Sequence, residues 1–110
     1  MMDPNKAVDF IIANSKKYAQ AKANRVHLEE FRKSKKALLM KDALARGYEA
    51  VNAQEREAYS DPEYLQILEG IREATREEEE LKWLLEAARM RCDIWRTEQA
   101  TARTQVAVTL

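Results

Sequence analysis

Few side chains in this 110-residue sequence could do chemistry: four glutamates at 77–80, one histidine at 27, one cysteine at 92, and clusters of lysine and arginine in the first half. Four consecutive helical residues point in four directions, so at most two of these glutamates can face one ligand. No Glu-x-x-His motif accompanies them, as a di-iron helical site would require. The run reads as a solvated acidic face. His27 has no nucleophile or carboxylate spaced to make it a general base, and it reads as a surface or interface histidine. Cys92 falls in an apolar series and reads as a small buried hydrophobe. With no acid, base and nucleophile converging, the sequence points to a non-enzymatic protein that uses neither metal nor cofactor.

The cations Lys16, Lys17, Lys22, Arg25, Arg32, Lys33, Lys35 and Lys36 could track a phosphate backbone, with Tyr18 and Phe31 available for stacking. Glu29 and Glu30 interrupt that stripe, and the net charge is zero. The halves differ: residues 1–50 hold 11 Lys/Arg against 6 Asp/Glu, and residues 51–110 hold 8 against 13, giving +5 and −5. A basic and an acidic helix that pair with each other explain this split. The alternative is a basic first helix that binds nucleic acid directly.

Charged residues make up 35% of the chain, aromatics 7%, and there are two glycines and two prolines. Turn residues are too scarce for a β-sandwich or barrel, and the composition is that of long solvated helices. The expected fold is all-α: a long antiparallel, coiled-coil-like helical hairpin in one domain. After a disordered start at Met1 and Met2, Asp3 and Pro4 form a cap-plus-proline signal for a helix over about 4–46. Gly47 stands where a left-handed C-cap belongs. The first helix has small residues at Ala19, Ala21 and Ala23, where close packing is expected, and a charged interruption at residues 34–36, which leaves open a continuous helix or a kink or short break there. In the connector, 47–60, Asn52 with Glu55 has the capping-box pattern of a short helical turn. Ser60 with Glu63, and Asp61 with Pro62, mark the start of a second helix over about 61–103. The β-branched tail, 104–110, is expected to fray.

Along the second helix an apolar or small series runs through Tyr64, Leu68, Ile71, Thr75, Leu81, Leu85, Ala88, Cys92, Trp95 and Ala102, in steps of three and four. Passing from 75 through Glu78 to 81 takes two successive steps of three, a stammer. Antiparallel pairing with Met40 opposite Leu65 brings Glu78 near Arg25 and His27, suggesting a polar seam layer of Arg25 with Glu78 that fixes register. Beyond the stammer the stripe widens. Trp83, Leu84, Ala87, Ile94 and Trp95 are the expected contact with another subunit or partner. One seam buries little for a chain this long, so a homo-oligomer is expected, most simply a dimer forming a four-helix bundle.

A lone cysteine, no signal-like start and no run of about 20 apolar residues point to the cytoplasm with no membrane role. The stretch from Glu55 through Tyr64 (EREAYSDPEY), with residues 78–89 (EEELKWLLEAAR) and 94–100 (IWRTEQA), resembles small helical proteins encoded by bacteriophages and prophages. The resemblance covers roughly residues 18–103 and transfers no site residue. It implies an accessory protein of the host-cell cytoplasm, acting on DNA recombination or replication or on a host factor. The first function it supports is binding to a protein partner, and the alternative is direct nucleic-acid binding.

Overall fold

Two aspartate–proline pairs start the two long helices of this chain, whose computed structural model describes residues 3–109. Met1, Met2 and Leu110 lie outside the described residues, and with them the expected disordered start. Helix α1 is Pro4–Ala45, α2 is Val51–Ser60 and α3 is Pro62–Thr109. The described residues contain no strand, so the fold is all-α. Asp3 Oδ1 accepts the Asn5 N–H at 2.9 Å, and Asp61 Oδ1 accepts the Glu63 N–H at 2.8 Å. In both cases proline fills the first helical position, where its missing N–H goes unneeded. Of the two overlapping start signals, Asp61 with Pro62 is the one used. Ser60 closes α2 instead, its hydroxyl donating to the Arg56 carbonyl at 2.8 Å.

Helix α1 passes through residues 34–36 without a break. At its end Gly47 takes φ +105°, the Tyr48 N–H reaches back to the Ala43 carbonyl at 3.0 Å, and the Gly47 N–H to that of Leu44 at 3.1 Å. This is the Schellman closure, which satisfies carbonyls a helix would otherwise leave open. The expected capping box at Asn52 and Glu55 is not formed. Helix α2 starts earlier, with Ala50 as a cap that makes no side-chain hydrogen bond. The polar work falls to Gln54, whose Nε2 donates to the carbonyls of Tyr48 at 2.9 Å and Glu49 at 3.3 Å.

The tail expectation is also corrected. Helix α3 continues through Thr109, since nothing after Arg103 is a glycine or proline and β-branched residues cost only a few tenths of a kcal/mol each, roughly. Thr104 Oγ1 returns its proton to the Ala100 carbonyl at 3.0 Å.

The chain divides into two compact units, Gln20–Glu78 and Met1–Ala19 with Glu79–Leu110. Within Gln20–Glu78, α1 and α3 form an antiparallel hairpin. Buried or half-buried positions recur at 21, 25, 28, 32, 35 and 39 on α1 and at 64, 67, 71, 74 and 78 on α3. Leu39, Ala58 and Tyr64 form its core, with Met40 packed against them. Helix α2 thus closes the loop end by burying Ala58 on both long helices. Of the three expected close-packing alanines only Ala21 is buried; Ala19 and Ala23 are exposed.

Within the second unit the corresponding positions are 7, 11, 14 and 18 on α1 and 81, 85, 88 and 92 on α3. Along α3 the buried face therefore uses Ile67 in place of the expected Leu68, and Ala74 with the expected Thr75 half-buried beside it. Leu68 is 36% exposed. With that substitution the steps alternate three and four without interruption, and there is no stammer. Ala102 and Trp95 of the expected series are exposed.

No large side chain among the described residues is fully buried.

Candidate protein interaction surface

The polar layer is assembled from both long helices. Arg25 Nε donates to Glu78 Oε2, and Arg25 Nη2 donates to Glu78 Oε1 at 3.2 Å. The remaining Nη1 reaches Glu29, one turn on, at 3.1 Å to both carboxylate oxygens. Glu78 is 7% exposed, so its charge is removed from water and needs this bidentate partner. Glu78, then Glu29, push the Arg25 guanidinium further above its ordinary pKa. His27 is exposed and its ring stacks on Phe31, with centroids 6.2 Å apart.

The cations of α1 separate into two sets. Lys35 pairs with Glu63 of α3, and that bond raises its ammonium pKa. Lys36 lies 4.7 Å from the centroid of the Tyr59 ring and 3.6 Å from Glu55; the Tyr59 hydroxyl, with the nearby carboxylate, raises its pKa. Arg32 is half-buried, and Lys33 pairs with Glu30 at 3.2 Å. Lys16 and Lys17 stand exposed in the other unit. The stripe read from sequence is thus largely occupied by carboxylates at 33, 35 and 36.

The apolar candidates gather on α3. Trp83 is 64% exposed, Leu84 45%, Ile94 43% and Trp95 41%; Ala87 is exposed as well. Trp83, Ala87 and Ile94 share one stripe with Met90, which is 55% exposed and is not among the contact residues expected from the sequence. The signal was present: 83, 87, 90 and 94 are spaced four, three and four. Each lies two residues beyond an inner position (Leu81, Leu85, Ala88, Cys92), hence about 200° around the helix. Leu84 flanks this outer stripe and borders, with Ala87, Ala88, Arg91 and Phe10 of α1, a shallow groove. Trp95 belongs to the inner face, around a cavity shared with Pro4, Val8 and half-buried Cys92. Lys82 Nζ covers one side of Trp83 at 5.7 Å.

Among the described residues no group of three or more His, Cys, Asp or Glu could hold a metal ion. No helix among them is long and apolar enough to cross a membrane. No protein-family model matches the chain, and no match is found among curated proteins or solved structures.

Proposed function

We propose that this chain is a non-enzymatic interaction protein that self-associates, most simply as a homodimer with four long helices, and binds a protein partner. Following its resemblance to phage-encoded helical proteins, it serves as an accessory factor of DNA recombination or replication in the host-cell cytoplasm. The observation that carries this reading is the second apolar stripe of α3, with Trp83, Met90 and Ile94 each at least two-fifths exposed. A tryptophan held open to water costs free energy that a partner recovers, and tryptophan is enriched among interface anchors.

Light scattering coupled to size exclusion at micromolar concentration tests self-association. A dimer mass that falls to monomer in Trp83→Ser/Ile94→Ser supports it, and a monomer mass for the parent protein overturns it. Direct nucleic-acid binding rests on Lys16 and Lys17, which stand exposed on α1. A gel shift at about 50 mM salt that is lost with Lys16→Glu/Lys17→Glu would replace the first reading with this one.

A further inference from the structure

The outer stripe of α3 does not end at Ile94. Continuing in the same steps it takes in Thr97, Thr101, Thr104 and Val108, so eight positions from Trp83 carry no charge. All of them are exposed, Val108 by 80%. Two of the threonines return their hydroxyl protons to their own helix, Thr97 to the Asp93 carbonyl at 3.1 Å and Thr104 to that of Ala100 at 3.0 Å. With the hydroxyls committed inward, the outward face they leave is largely methyl. Pro4, the first residue of α1, shares a cavity with Trp95 and Arg96. The segment from Thr97 to Thr109 then carries α3 about 20 Å past that level. Every residue from 93 to 108 is exposed.

We infer that the occupant of this stripe is the same stripe of a second copy of the chain, running antiparallel, with Ile94 of one copy facing Thr97 of the other. The inference rests on the self-association proposed above and specifies its geometry. Charge complementarity selects the direction. In this register Trp83 meets Val108 and Ala87 meets Thr104. On one flank the acidic Glu86 and Asp93 lie within two residues of Ala107 and Ala100 of the second copy, and Glu98, level with Asp93, stands on the opposite flank, so no like charges oppose. On the other flank each Glu98 lies within two residues of the other copy's Arg91 and five from its own symmetry mate. A parallel pairing would set Glu86 against Arg91 but also Asp93 against Glu98, a like-charge clash repeated by symmetry. The antiparallel arrangement is isologous and closes as a dimer. Its helices follow in the order α1, α3, then α3 and α1 of the second copy, so each Thr97–Thr109 segment packs on the other copy's α3.

Cysteine cross-linking tests direction and register together. In a Cys92→Ser background, Ala87→Cys/Thr104→Cys is expected to give covalent dimers under mild oxidation, and Ala87→Cys alone is not, since its two thiols would lie about 25 Å apart along the axis. Cross-linking by Ala87→Cys alone overturns the antiparallel direction. A dimer mass with no cross-link in the double variant overturns this face as the interface while leaving self-association standing. A monomer mass overturns both. Both cysteines replace exposed residues, so loss of folding does not confuse the result. As an independent check, Arg91→Glu weakens dimerisation about tenfold, and Arg91→Glu/Glu98→Arg restores it; no change on Arg91→Glu overturns the pairing.

Discussion

Replacing Gln54 with methionine removes two hydrogen bonds while keeping nearly the same length and volume. Gln54 is 9% exposed and holds the carbonyls of Tyr48 and Glu49 from inside the turn between α1 and α2. A buried acceptor that loses its donor costs about 1–3 kcal/mol. Tyr48 and Glu49 are themselves exposed, so water can reach their carbonyls and the lower part of that range applies, about 1–2 kcal/mol. For a chain of 110 residues the unfolding entropy is about 0.23 kcal/mol/K, so the melting temperature drops by about 4–9 °C. Far-UV circular dichroism on heating reads this directly. Gln54→Glu goes further, because at neutral pH its carboxylate faces two carbonyl oxygens. Its folded pKa must lie above the unfolded value of about 4.3. Stability is then fully present below that value and lost as pH rises through the folded one. The glutamate variant should therefore melt lower than the methionine variant at neutral pH and recover part of the gap in acid. A methionine variant within about 1 °C of the parent, or a glutamate variant whose deficit ignores pH, refutes this account of the turn.

Three further outcomes are expected. Gly70→Ala raises the melting temperature: the new Cβ would sit 3.4 Å from Leu28 Cδ1, an ordinary contact, and alanine gains about 1 kcal/mol over glycine in a helix interior; a lower melting temperature would mean that Leu28 cannot yield. Arg25→Leu/Glu78→Leu leaves the hairpin of Gln20–Glu78 as stable or more so, because two leucines complete the seam without desolvating charge, while Glu78→Leu with Arg25 retained lowers stability, because the half-buried guanidinium loses its cross-helix partner; a large loss in the double variant would give the polar layer a stabilising role in place of a register role. The third concerns alkaline pH. Lys35 and Lys36 have raised pKa values in the folded protein, so their contribution is complete below about 10.4, the unfolded value, and is lost as pH rises through the folded values. Melting temperature should fall above that point, and the fall should be shallower in Lys35→Met/Lys36→Met; equal slopes would refute the pairing.

Helix existence and type were legible in the sequence because the signals are local. Asp3 with Pro4, Asp61 with Pro62, and Gly47 at a position of positive φ act within a turn of where they stand, and each does so in the structure. Where two local signals competed, the neighbours decided. Asn52 offers a capping side chain, yet α2 begins before it, since burying Ala58 against Leu39 and Tyr64 fixes where that short helix sits.

The choice between adjacent residues on a helix face could not be made locally. Ile67 and Leu68 are both apolar, as Ala74 and Thr75 are both small, and spacing alone permits either pair. Only α1, lying across from them, makes Ile67 and Ala74 the inner positions, and with that choice the apparent stammer disappears. The same geometry turns Trp83, Met90 and Ile94 away from α1. The composition of that stripe, and the uncharged positions that extend it to Val108, are fixed by sequence. That it is an outer face, left exposed once α1 has covered the inner one, is a fact only of the tertiary structure, because a helix burying one side on its neighbour presents the residues two positions on to water.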